Sequence, residues 1–170
     1  SATTGGNNAS FGYFAGYSNT GNAANTMLGA YSGRYLTGNL STFVGQGAGE
    51  NMTTGSSNTI LGRFNGNQGG LDIRTSSNNI VLSDGDGNVR WRSDSNSDIF
   101  TGLFSSTGAT EGFYYQPQYG ITYSSRSGTS TKNHRYFVNA NGTVGSIATS
   151  GSSTSYNTSS DHRLKENVDY

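Results

Sequence analysis

Cysteine is absent from this 170-residue sequence, proline occurs once, and charged residues make up only 12% of it. The absence of cysteine excludes disulfide bonds and thiolate metal sites. The formal net charge is zero and only two lysines occur, so the basic surface by which proteins bind nucleic acid is missing. The longest aliphatic run is the triplet Ile80, Val81, Leu82, whereas a membrane-spanning helix needs roughly 20 apolar residues. We therefore expect no nucleic-acid partner and no membrane insertion.

Apolar residues are scarce too, at 31% of the chain, while 26 residues are glycine. Glycine, serine, threonine and asparagine supply roughly half of the sequence, an unusual balance for a globular domain. Aromatic residues reach 12%, which argues against disorder. Too few aliphatic side chains occur to fill the core of a monomer of this length, so the composition favours an oligomer. The chain starts at Ser1 without a signal core, and we expect it to be part of a longer protein.

Glycine recurs at fixed intervals in the first part of the chain, since Gly12, Gly29, Gly45 and Gly62 lie 17, 16 and 17 residues apart. Each has a second glycine four residues on, and each follows a pair of residues that is mostly apolar. Glycine disfavours helix, so the pattern predicts one short β-strand per repeat. A flexible glycine-rich linker is the alternative, but a linker has no need of apolar pairs in register. The predicted core residues are those directly before the first glycine of each pair: Phe11, Leu28, Val44 and Leu61.

The remainder of the chain divides by composition. Apolar and polar residues alternate on both sides of the Asp-Gly turn at 84–87, which predicts a β-hairpin. The spacing of Asp84, Asp86 and Asn88 imitates a calcium loop, but the required glycine and glutamate are missing. The predicted segments are a glycine-repeat β shaft (1–66), a hairpin module (67–98), an aromatic-rich β region (99–145), a Ser/Thr/Gly connector (146–160) and the charged start of a capped helix (161–170).

The end of the sequence carries a specific resemblance. The string Ser159-Ser160-Asp161-His162-Arg163-Leu164-Lys165-Glu166-Asn167 resembles the junction between a bacteriophage tail-fibre or tailspike body and its C-terminal intramolecular chaperone. The glycine repeats and the hairpin are similar to shaft modules of such fibres. The resemblance implies a homotrimer, so we expect an all-β, elongated, intertwined homotrimeric fibre with a triple-β-helix-like shaft, a β-rich distal region and the start of a C-terminal helix.

In that family the chaperone drives trimerisation and then cleaves itself off. The resemblance implies a scissile bond between Ser160 and Asp161, with Lys165 as the base, since a desolvated lysine can lose its proton. Ser160 attacking its own carbonyl would form a strained ring, which leaves an indirect part or attack on another carbonyl open. Only the start of the chaperone is present, so we expect no self-release by this chain. An ordinary capped surface helix is the alternative for this segment.

The function expected from these observations is structural support and host recognition in a phage tail fibre of the virion, with two identical chains and upstream tail proteins as partners. The expected receptor is a bacterial surface glycan or outer-surface protein, because tyrosine faces stack on sugar rings. The candidate receptor-binding residues are Tyr114, Tyr115, Tyr119, Tyr123 and Arg126. The alternatives are a bacterial trimeric adhesin and a polysaccharide-degrading tailspike, although Glu50, Glu111 and Glu166 form no convincing catalytic pair. His134 and His162 are isolated, so neither metal nor cofactor is expected.

Overall fold

The computed structural model describes residues 5–102, 112–125 and 128–158, and within these ranges every regular element is a β-strand. The predicted helix start at 161–170 lies outside the described residues. The strands are β1 (Ala9–Phe11), β2 (Thr26–Leu28), β3 (Thr42–Val44), β4 (Thr59–Leu61), β5 (Asn67–Gln68), β6 (Leu71–Asp72), β7 (Ile80–Ser83), β8 (Val89–Ser93), β9 (Ile99–Gly102), β10 (Gly112–Gln116), β11 (Ile121–Ser125), β12 (Lys132–Asn139), β13 (Gly142–Ser150) and β14 (Ser153–Thr158).

The described residues belong to two compact units, of which the first holds 5–102 and 112–123, and the second 124–125 and 128–158. In the first unit the chain winds into stacked coils, each starting at a strand. Strands β1, β2, β3, β4 and β7 pair in parallel and in strict register. The coils are 9–25, 26–41, 42–58 and 59–79, and the last is longer because it contains the small β5–β6 hairpin. This arrangement is a β-solenoid, with one strand per glycine repeat.

The core of the solenoid lies inside a single chain. The second residue of four of the five parallel strands is fully buried, namely Met27 in β2, Phe43 in β3, Ile60 in β4 and Val81 in β7, whereas Ser10 of β1 is exposed. On the opposite side of the coils, Leu36, Met52 and Ile73 are buried against them. The composition predicts a core that needs several chains, whereas stacked coils fill this narrow interior with about one large apolar side chain per strand. Of the residues predicted as core, Leu28, Val44 and Leu61 each come directly after one of these buried residues. Phe11 comes after the exposed Ser10.

The first glycine of each pair lies where two coils come closest. Gly12, Gly29, Gly45 and Gly62 all have φ between +107° and +136°. At Gly29 a Cβ would lie 2.5 Å from the carbonyl oxygen of Gly45, far inside van der Waals contact. The sequence predicts a close approach between chains or a positive φ at these glycines. The close approach is to the next coil of the same chain.

Buried asparagine side chains connect successive coils just before the strands. The Asn25 N–H donates to Oδ1 of Asn8 at 2.9 Å, and Oδ1 of Asn25 accepts from the Ser41 N–H at 2.9 Å. The ladder continues through Asn58, whose Oδ1 accepts from the Asn79 N–H at 2.9 Å. Such side chains satisfy backbone donors that the turn leaves buried. This asparagine ladder (Asn8, Asn25, Ser41, Asn58 and Asn79) therefore fixes the register of the coils.

After β7 the sheet continues with antiparallel pairing. Strands β7 and β8 form a hairpin around the Asp-Gly turn, and β9 and β10 extend the sheet in antiparallel fashion before β11. The carboxylate of Asp84 accepts hydrogen bonds from Asn88 and Arg90, which lower the pKa of Asp84 to about 2. The side chains of Asp84 and Asn88, two of the three polar residues of the calcium-like loop, are thus paired with each other within the turn.

The second unit contains a separate three-stranded antiparallel sheet in the order β12, β13, β14. Ala148 of the central strand is buried, and Ser146 nearly so. Strands β13 and β14 occupy most of 146–160, the segment expected from its composition to be an extended connector. Their serine and threonine residues therefore form a hairpin rather than an unpaired linker.

Candidate functional site

The outer face of the parallel strands carries an unbroken apolar row. Pairing aligns Phe11 with Leu28, Leu28 with Val44, Val44 with Leu61, and Leu61 with Leu82. Four of the five side chains are 36 to 41% exposed, and Phe11 is 79% exposed. Phe11, Leu28, Val44 and Leu61 are the predicted trimer-core residues, and none of them belongs to the chain's own core. We call Phe11, Leu28, Val44, Leu61 and Leu82 the outer row.

A second feature is a stack of planar side chains across the antiparallel strands. The guanidinium carbon of Arg92 lies 3.8 Å from the ring centroid of Phe100. The Phe100 ring stacks on Tyr114 with centroids 4.3 Å apart, and Tyr114 stacks on Tyr123 at 5.2 Å. Strand pairing explains the alignment, since Arg92 is directly opposite Phe100 and Phe100 is opposite Tyr114. Aromatic pairs of this kind contribute about 0.5–1.5 kcal/mol each.

The carboxylate of Asp98 holds Tyr114 of this stack by a hydrogen bond. The Asp94 carboxylate accepts from the N–H groups of Asn96 and Asp98, and this turn places the Asp98 side chain at the start of β9. Asp98 is only 3% exposed, and its Oδ2 accepts hydrogen bonds from the Tyr114 hydroxyl at 2.5 Å and from Gln116 Nε2 at 3.3 Å. Its Oδ1 is buried without a hydrogen-bond partner.

The surroundings of the stack change the acidity of two of its members. Desolvation, with the hydrogen bond to Asp98 second, raises the pKa of Tyr114 to about 12. Burial also lowers the pKa of Arg92. Tyr114 therefore keeps its proton throughout the neutral range and acts as a hydrogen-bond donor to Asp98. This hydroxyl is engaged within the protein.

The structure places the predicted receptor-binding residues at different sites. Tyr114 and Tyr123 lie together in the stack, whereas Tyr115 is on the other face of β10 because neighbouring strand residues alternate. Tyr119 is in the turn between β10 and β11 and is 69% exposed. Arg126 lies outside the described residues. The sequence-based prediction missed Arg92 and Asp98, which lie at the stack only because three strands pair. The one sequence signal for Asp98 was its spacing from Asp94, which is typical of a tight turn.

The predicted cleavage residues Ser160, Asp161 and Lys165 lie outside the described residues. Within the described part of the chain no group of three metal-binding side chains occurs. His134 lies between two hydroxyls, with Nδ1 3.1 Å from Ser124 Oγ and Nε2 2.8 Å from Thr149 Oγ1. No helix among the described residues is long and apolar enough to cross a membrane.

Comparison with family models, with curated proteins and with solved structures returned no match.

Proposed function

We propose that the chain is a segment of a homotrimeric bacteriophage tail fibre, in which it supplies both structure and host recognition. The outer row carries this proposal. Five apolar side chains at one register position of consecutive strands form a continuous exposed row, and soluble monomers rarely expose contiguous apolar patches of large area. Identical chains cover such a row most simply, because each copy presents the same spacing.

The assignment to a phage fibre is supported by the sequence resemblance around Ser160 and Asp161. In the proposed full-length protein, the chaperone domain cleaves this bond after trimerisation, and upstream tail proteins hold the fibre on the virion. Mass spectrometry of a full-length version tests the position. A released product that begins at Asp161 supports the proposal, and a product with another first residue contradicts it.

Host recognition is proposed for the exposed tyrosines of β10, β11 and their turn, with a bacterial surface glycan as receptor. Tyr119 and Tyr123 present exposed rings, whereas the Tyr114 hydroxyl is bound to Asp98. Rings of this kind stack on sugar faces, and their hydroxyls bond to sugar hydroxyls. Tyr119 is the strongest of the four predicted tyrosines because it is the most exposed of them.

The test first measures adsorption of the purified protein to a panel of bacterial strains. Variants are then compared on a strain that binds the wild-type protein. Tyr119→Ala should lower adsorption at least tenfold because it removes a stacking surface. Tyr156→Ala is the control, since Tyr156 is also exposed but belongs to β14. Full adsorption by Tyr119→Ala and Tyr115→Ala, with the oligomer intact, would remove both residues from the receptor site.

A further inference from the structure

A cluster of aromatic rings surrounds one guanidinium at the corners of the first two coils, away from every residue used above. Arg34 lies 5.2 Å from the ring centroid of Phe14, 5.4 Å from Tyr31 and 4.8 Å from Tyr35. Tyr13 and Tyr17 pack edge-on against Phe14, at 4.3 and 4.9 Å. We call these six residues the tyrosine cluster: Tyr13, Phe14, Tyr17, Tyr31, Arg34 and Tyr35.

Two aromatic residues at this corner have a left-handed backbone conformation. Phe14 and Tyr31 have φ values of 55° and 61°, and the equivalent residue of the third coil is Gly47, with φ of 70°. A bulky side chain in this left-handed region is a genuine outlier, and such strain concentrates at functional sites. Glycine satisfies the fold at this position in the third coil. The fold therefore does not require aromatic side chains at this position.

Three rings of the tyrosine cluster are exposed to solvent, where a ligand could reach them. Tyr13, Tyr17 and Tyr35 are all exposed. The Arg34 Nε is buried without a hydrogen-bond partner, and Arg34 Nη1 lies 3.5 Å from Glu50 Oε1. Glu50 thus connects the tyrosine cluster to the third coil.

On its other side Glu50 lines a polar pocket of about 300 Å³ formed by the third and fourth coils and the β7–β8 turn. The lining residues are Gln46, Gly47, Glu50, Arg63, Asn65, Gln68 and Asp86. Gly47 lies between Glu50 and Arg63 in this lining, where an added Cβ would be 3.8 Å from Glu50 Oε2 and 4.0 Å from Arg63 Cγ. The pocket therefore continues the tyrosine cluster along the same edge of the solenoid.

We propose that this edge, from the tyrosine cluster to the pocket, binds a neutral oligosaccharide. Exposed tyrosine rings suit the apolar faces of pyranose rings. Side-chain amides such as that of Gln46 both donate and accept hydrogen bonds, as sugar hydroxyls require. Asn65 Oδ1 accepts from the Asn67 N–H and Gln68 Nε2 donates to the Asp86 carbonyl, which leaves the Asn65 Nδ2 donor and the Gln68 Oε1 acceptor for the sugar. The charges cancel, since Arg34 and Arg63 are balanced by Glu50 and Asp86. A neutral ligand therefore leaves no charge uncompensated.

The size of the surface favours several sugar rings over one. The edge spans four coils, and neighbouring strands lie about 4.8 Å apart, so the row of sites is roughly 15 Å long. The site goes beyond the proposed receptor contacts on β10 and β11, with which it shares no residue. Binding here does not depend on the trimer, because every named residue belongs to one chain.

The test is a calorimetric and NMR titration of the full chain with maltohexaose, cellohexaose, mannohexaose and chitohexaose, and with a hyaluronan hexasaccharide as the anionic comparison. At least one neutral hexasaccharide should bind with a Kd of about 1 mM or tighter and shift the side-chain amide signals of Gln46, Asn65 or Gln68. Binding by none of the four, or by hyaluronan alone, overturns the proposal.

Variants locate the site. Tyr35→Ala and Arg63→Ala should each weaken binding about tenfold, and Arg63 is exposed and outside the core, so its replacement leaves the fold intact. Tyr156→Ala and Tyr119→Ala should leave binding unchanged. Loss of binding in Tyr119→Ala with full binding by Arg63→Ala contradicts this site while supporting the receptor site proposed above.

Discussion

At the residue scale, glycine is required in each coil wherever two coils touch backbone to backbone. Gly29→Ala should lower the free energy of unfolding by about 1–3 kcal/mol from its backbone conformation alone, and by more because the new Cβ would strike Gly45. Gly21→Ala is the matched control, since Gly21 also has a positive φ, of 80°, but a Cβ there meets nothing within 4 Å. Urea unfolding measures both variants. Equal stability of the two would contradict the close approach of the coils.

One of the buried asparagine side chains forms no hydrogen bond. Asn19 is fully buried, yet neither Nδ2 nor Oδ1 has a hydrogen-bond partner. It occupies the position of Leu36 and Met52 in the following coils, as the equivalent N–H bonds to Gly16, Gly33 and Gly49 show. Asn19→Leu should therefore raise the free energy of unfolding by about 1–3 kcal/mol.

Asn25 provides the contrast to Asn19. Asn25 is equally buried, but its side chain bonds to Gly38 and Ser41. Asn25→Leu should lower the melting temperature while Asn19→Leu raises it, as differential scanning calorimetry would show. A destabilised Asn19→Leu variant would mean that the Asn19 side chain is paired in solution.

The sequence predicts the strands of the solenoid but not which of two neighbours points inward. Three of the four repeats have two apolar residues in a row, such as Phe43 and Val44, or Ile60 and Leu61. Alternation identifies the buried face only when the other face is polar. The buried residue is the first of each such pair. Which of the two residues points inward can be seen only when the strands are stacked.

At the scale of elements, the asparagine ladder joins each coil to the next. Asn58 donates to the Ser76 carbonyl at 2.8 Å and accepts from the Asn79 N–H at 2.9 Å. Asn58→Ala removes both bonds and leaves the buried Asn79 N–H without its acceptor, so it should cost about 1–3 kcal/mol. Asn58→Ser should cost clearly less, because Ser41 accepts the same bond with its hydroxyl one coil earlier. Denaturant midpoints of the two variants check this order; equal midpoints would refute it.

The stack across β8 to β11 gives a pH dependence. The pKa of Tyr114 is about 12 in the folded protein, against an ordinary value of 10.0. The unfolded chain therefore loses this proton first, so the stability that the neutral hydroxyl supplies is complete below pH 10 and is lost as the pH rises towards 12. Tyr114→Phe should remove a late component from the tyrosinate absorbance titration.

Tyr119→Phe is the control for that titration, because the Tyr119 ring lies outside the stack, and it should leave the late component in place. A titration in which Tyr114→Phe changes only the early component would contradict the contact with Asp98. The stack itself lay beyond prediction from sequence, since Arg92, Phe100 and Tyr114 come together only through the register of three strands.

At the scale of the whole molecule, assembly depends on the outer row. The chain closes its own core yet leaves Leu28, Val44 and Leu61 partly open to water. Val44→Lys would place a charge in the proposed interface, where burying it without a partner is costly. In the single chain the same side chain points to solvent, so the solenoid should survive the change.

Sedimentation equilibrium tests this most directly, with far-UV circular dichroism as a check on the fold. The wild-type protein should have the mass of three chains of 17.8 kDa, and Val44→Lys should shift it towards the mass of one chain while the β-sheet spectrum stays unchanged. A wild-type protein that sediments as a folded single chain would contradict the proposal.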